Sequence, residues 1–152
     1  MLAISPQLNA LTKGPLTVAE ALATQPATDS KQGLYYRRVA AKKLQYKPGS
    51  ISAKTLAIAT PSTGNTLMLS KIIIQNSSTT ASVVNLQSAE TGEVILRIEC
   101  AGQGSGINDN LDVFNEIEVG TNKPLYIDPS AAVAHRIYIQ YYTINATTRE
   151  PV

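Results

Sequence analysis

The chain has 152 residues, 43% hydrophobic and 16% charged, enough for one domain and too few for two separate cores. Its formal net charge of +2 hides an asymmetry: residues 1–60 hold eight Lys/Arg against Glu20 and Asp29, while residues 61–152 hold five against nine carboxylates. A lone Cys100 excludes an intramolecular disulfide framework and a thiolate zinc site, and no apolar run approaches the ~18 residues of a membrane span.

The stretch Met1–Ala10 has no charged segment followed by an apolar one, so the sequence reads as a soluble chain without a recognisable secretion signal. Ser5-Pro6 opens and Lys13-Gly14 closes a short helix over residues 6–12. Thr17-Val18-Ala19-Glu20 is a capping box that opens a second helix, running to Thr24 and ended before Pro26. Helices this short are marginal alone, so Leu8, Leu11, Leu16, Val18 and Leu22 need an apolar surface on the body or on a neighbour. Residues 25–33 read as a connector.

The segment 34–47 follows, in which Arg37, Arg38, Lys42, Lys43 and Lys47 are interleaved with Tyr35, Tyr36 and Tyr46. Residues 1–50 together read as an extended basic arm. At about 3.3 Å per residue it would reach some 160 Å, past any small domain. Pro48-Gly49 is a turn, and the body is expected over residues 51–145, with 146–152 as a tail.

Within the body, strands are predicted at Ala53–Thr60, Thr66–Asn76, Ala81–Ser88, Glu93–Glu99, Val113–Val119, Lys123–Asp128 and Arg136–Ile144. Thr91-Gly92 joins the third and fourth as a hairpin, and the turn-rich residues 101–110 read as an exposed loop. Seven or eight short strands with no helical period between them predict an all-β fold, an antiparallel sandwich or jelly roll carrying an N-terminal arm with one or two short helices.

No constellation in the sequence predicts catalysis, a metal or a cofactor. Gly102-Gln103-Gly104-Ser105-Gly106 lacks the lysine and the following helix of a phosphate loop. Asn108, Asp109, Asn110 and Asp112 do not have calcium-loop spacing and read as turn residues. His135 is the only histidine and reads as a surface or strand-end residue, Cys100 as a small buried hydrophobe, and the sequons at Asn76 and Asn145 as turn chemistry. Glu116 and Glu118, two apart on a strand, read as a solvated face or a surface that meets a basic arm.

The basic segment has two readings. It can lie on a neighbouring subunit or a shell, with arginine and tyrosine as anchors, or it can contact phosphates and stack on bases. In organisation, an arm over about Met1–Pro48 followed by strands such as Leu67–Asn76, Glu93–Glu99 and Arg136–Ile144, the chain resembles the β-sandwich capsid decoration, or cement, proteins of tailed bacteriophages. That resemblance implies a homotrimer on the outer surface of the expanded virion shell, bound to the major capsid protein across capsomer boundaries. The local chemistry puts the contact residues at Tyr35, Tyr36, Arg37, Arg38, Lys42, Lys43, Tyr46 and Lys47, with Leu8, Leu11, Leu16 and Leu22. Two other readings stay open: a small jelly-roll coat protein whose arm faces nucleic acid, and a receptor- or carbohydrate-binding tail module with Tyr138, Tyr142 or the 101–110 loop at its ligand site.

Overall fold

The computed structural model describes residues 31–111 and 115–152. The two helices expected over 6–12 and 17–24, with Leu8, Leu11, Leu16 and Leu22, lie outside those residues, as do the first residues of the strand expected at Val113–Val119. The chain divides into two compact units, Met1–Leu34 and Tyr35–Val152, and both sheets lie in the second.

Among the described residues one helix, α1 (Lys31–Ala40), precedes nine strands: β1 (Leu44–Tyr46), β2 (Thr55–Ile58), β3 (Asn65–Asn76), β4 (Ser82–Gln87), β5 (Val94–Cys100), β6 (Gly106–Asn110), β7 (Ile117–Thr121), β8 (Leu125–Pro129) and β9 (His135–Asn145). All pairings are antiparallel. One sheet, here sheet A, has the order β1-β9-β3-β6, with β7 on the same edge of β3 as β6; sheet B has the order β2-β8-β4-β5. With β7 counted as an addition, the remaining strands taken in sequence fall into the orders 1-8-3-6 and 2-7-4-5, the arrangement of a jelly roll.

The core lies between the sheets, built from alternate residues of both: Leu67, Leu69, Ile72, Ile74, Ile137 and Ile139 from sheet A, and Ile58, Val84, Leu86, Ile98, Leu125 and Ile127 from sheet B. In β3 the inward residues change phase, with Leu67 and Leu69 odd and Ile72 and Ile74 even. A bulge between Leu69 and Lys71 absorbs the extra residue, so both pairs face the core. Without it, half of the strand would turn its apolar side outward.

Ser82 and His135 close one end of the sandwich. The Ser82 Oγ lies 2.6 Å from His135 Nε2, with His135 Nδ1 3.4 Å from the Ile51 carbonyl, so the contact joins sheet B to sheet A. His135 is fully buried, which corrects the surface reading: it precedes a polar residue, Arg136, but its position on β9 points it inward with Ile137. Cys100 is a free thiol buried at the same end of β5, as expected, and burial pushes its pKa up.

Three further expectations change. The 101–110 loop is only half a loop: a tight turn over Gly102–Ser105 leads into β6, which pairs with Lys71–Gln75. Gly106 makes that close pairing possible, because at φ 143° a β-carbon would land on the Ile74 carbonyl. Residues 34–50 are not an extended arm, since α1, β1 and Ile51 return to the body and β1 pairs with β9. The tail also folds back: Asn145 Oδ1 accepts from the Thr147 and Thr148 amides, Arg149 sits at φ 65°, and Pro151 pairs with Ile144. Asn76, the other sequon residue, is buried and likewise caps a turn, bonding the Ser78 amide and the Thr80 carbonyl.

Candidate functional site

Chemistry concentrates where α1 meets the outer face of sheet A. Past the β3 bulge this face carries Met68, Tyr142 and Ile144, which form a second small core with Ala41. Arg38 and Ala41, three apart, turn toward that core, while Tyr36 and Val39, also three apart, turn away. The helix is thus two-faced, a period that the interleaved cations hid in the sequence.

Arg38 enters with its charge matched. Its Nη2 donates to Glu116 Oε2 at 2.8 Å and its Nε to the Tyr142 hydroxyl at 2.8 Å, and that hydroxyl donates to the same Glu116 oxygen at 2.5 Å. The Glu116 side chain is only 1% exposed. Lys43 adds a second cation, 3.9 Å from Glu116 Oε1 and 3.5 Å above the Tyr142 ring, and its ammonium also donates to the Arg38 carbonyl at 2.7 Å. That last bond satisfies a carbonyl at the helix end.

Burial pushes the Lys43 pKa down, against the pull of Glu116, with Arg38 lowering it further. The Tyr142 pKa is raised strongly, first by burial and then by its hydrogen bond to Glu116. Two more ion pairs fasten the surroundings. Arg149 holds Glu118 with two bonds of 3.0 and 2.8 Å, and Arg37 reaches Glu150 in the tail at 3.0 Å. Glu116 is therefore a surface that meets the basic segment, within one chain.

The expected contact residues separate into two sets. Arg38, Lys43 and Tyr46 are turned inward, Tyr46 packing on the main core, and Arg37 is paired with the tail. Tyr36, Lys42 and Lys47 are exposed, whereas Tyr35 is half-buried and stacks edge-on against Tyr36 with ring centroids 5.6 Å apart. Val39 and Leu44, which the sequence reading passed over, are 52% and 45% exposed. Val39 follows the inward Arg38 on the helix, whereas Leu44 shares a strand face with Tyr46 and is exposed on the edge strand of sheet A.

Of the ligand-site candidates, Tyr142 belongs to the buried network. Tyr138 lies on the open part of the same sheet face, across β3 Ile73 from β6 Asn108. Asn108 and Asn110 point to one side of β6 and Asp109 to the other, so they do not converge as cation ligands. No protein-family model, curated protein or solved structure matches the chain.

Proposed function

We propose that this chain is a structural virion protein of the capsid decoration kind, which binds the outside of a phage shell through the segment rooted at α1 and β1. The observation that carries the reading is the division of labour there: Arg38, Lys43 and Arg37 fasten the segment to the body, and Tyr36, Val39 and Leu44 remain exposed. Three of the six exposed large hydrophobics among the described residues, Tyr36, Val39 and Leu44, fall within the nine positions 36–44. A fastened root keeps the contact residues oriented, so less ordering entropy opposes binding. Many copies on one shell would turn modest contacts into a durable layer.

The jelly-roll strand order adds support by analogy of fold, since viral capsid and lectin domains use it. A coat protein with an arm on nucleic acid fits less well, because Arg38 and Lys43 have carboxylate partners inside the chain. The test compares the full chain with a Tyr36→Ser/Val39→Ser/Leu44→Ser variant, by light scattering after size exclusion and by cosedimentation with expanded phage shells and with DNA. Shell binding by the full chain alone, with DNA ignored, upholds the reading. DNA binding, or shells formed by the chain itself, overturns it in favour of a coat protein.

A further inference from the structure

We infer that the open half of the outer face of sheet A is a binding site for an acidic oligosaccharide, a hydroxyl-rich chain bearing carboxylates. Register places Gln45, Gln140, Lys71 and Asn110 side by side in one row across β1, β9, β3 and β6. The next row holds Tyr138, Ile73 and Asn108, and the one after it Arg136 and Gln75. At about 4.8 Å between strands the first row is roughly 14 Å wide, room for a short oligosaccharide laid across the sheet.

The relief is not flat. Lys47, Gly49, Ile73, Gln75, Arg136 and Tyr138 line a cleft of about 360 Å³, and a second cleft of about 250 Å³ lies on the other side of Gln75 and Arg136, toward Gly104. Arg136 is thus shared by two clefts. Its guanidinium has the fork that matches a carboxylate with two bonds.

Charge selects the ligand's sign. Lys47, Lys71 and Arg136 are the charged side chains of these rows and the cleft beside them, and no carboxylate stands among the described residues there. The rest selects its class. Amides both donate and accept hydrogen bonds, as sugar hydroxyls do, whereas phosphate oxygens only accept. Amides outnumber cations on this face, and it offers a single aromatic, Tyr138, with Lys71 Nζ 5.9 Å from the ring centroid. A nucleic-acid groove would instead present a denser cation track with several stacking rings. Tyr138 is half-buried and gives the apolar edge of a sugar ring a surface to rest on.

The site shares Gln45 and Lys47 with the segment proposed to bind the shell but none of Tyr36, Val39 and Leu44, so the two readings fail separately. Isothermal titration of the full chain would use a short oligouronate, the same oligomer with its carboxylates reduced to alcohols, and single-stranded DNA, repeated with Arg136→Glu and Lys71→Glu. The oligouronate is expected to bind, the reduced oligomer and either charge reversal to weaken binding by about tenfold or more, and DNA to bind less tightly than the oligouronate. Both substitutions are on the surface, and unchanged thermal midpoints would show that folding is intact. No oligouronate binding, equal binding of the reduced oligomer, tighter binding of DNA, or an affinity indifferent to Arg136→Glu would each overturn the inference. Retained oligouronate binding by the Tyr36→Ser/Val39→Ser/Leu44→Ser variant would separate this face from the shell contact.

Discussion

The outer face of sheet A holds two halves made by the same strands. On one side of the β3 bulge, Met68, Tyr142 and Ile144 are apolar and covered by the chain's own helix end; on the other, Lys71, Gln75, Arg136 and Tyr138 are polar and uncovered. Position in the sheet is shared, so side-chain chemistry alone decides which half the chain closes itself. The covered half spends its charges internally, with a carboxylate, two cations and a phenol held together. The open half carries Lys71 and Arg136 with no carboxylate in its described rows.

The sharpest way to break this contrast is to remove Arg38. Glu116 would stay buried with the Tyr142 hydroxyl and, as its nearest remaining cation, Lys43 at 3.9 Å, so Arg38→Ala is expected to cost about 3 kcal/mol in urea unfolding. Arg136→Ala, on the open half, is expected to change stability by less than about 0.5 kcal/mol. Equal effects would erase the distinction between the halves. Gly106→Ala is expected to destabilise by about 2 kcal/mol or more, since backbone would have to move away from Ile74 or β6 would detach. Loss of amide-exchange protection confined to β6 and the facing part of β3 would locate the damage.

Next in size is the Tyr142 hydroxyl, which bonds Arg38 and Glu116 together. Tyr142→Phe is expected to cost about 1–2 kcal/mol, because both partners lose a bond in a buried place. The same group sets a pH dependence. The raised pKa values of Tyr142 and Tyr46, and of the Cys100 thiol, mean that the folded chain keeps protons which the unfolded chain releases above ordinary values of 10.0 and 9.0. Their contribution is whole below those values and is lost as pH rises through and beyond them. Lys43 acts with the opposite sign just below 10.5, where its lowered pKa makes stability rise with pH. The Tyr142 shift is the large one, so urea midpoints should fall between about pH 8 and about pH 11, and fall less steeply in Tyr142→Phe.

Much of the sandwich was legible because its signal is local. Alternation marked β3, β4, β5, β8 and β9 to within two residues at each end, and Thr91-Gly92 marked the β4–β5 hairpin, where a β-carbon on Gly92 would strike Ala89. What was hidden depends on partners far away in sequence. Gly106–Asn110 is polar and glycine-led, yet it is a strand because Lys71–Gln75 offers a free edge. Arg38 reads as a surface cation until Glu116, 78 residues away, is folded beside it. His135, at the strand end as expected, reads as a surface residue until Ser82 meets it across the sandwich. The tyrosines and cations of 34–47 divide into inward and outward sets, a division that appears only once α1 exists.

The smallest expected effect sits at the margin of the covered half. Arg149 and Glu118 form a two-bond pair of good geometry, but both side chains are more than a third exposed, so water and salt weaken the attraction. Arg149→Ala should cost under about 1 kcal/mol, and the cost should shrink as salt rises. The turn is a separate contribution, because Arg149 holds a left-handed backbone position that strains arginine and alanine alike and glycine not at all. Arg149→Gly separates the two: it removes the charge and relieves the backbone, so a smaller loss than in Arg149→Ala assigns the difference to the turn. A loss in Arg149→Gly as large as that in Arg38→Ala would mean that this outer pair belongs to the buried network, and the boundary between the two kinds of ion pair would have to be moved outward.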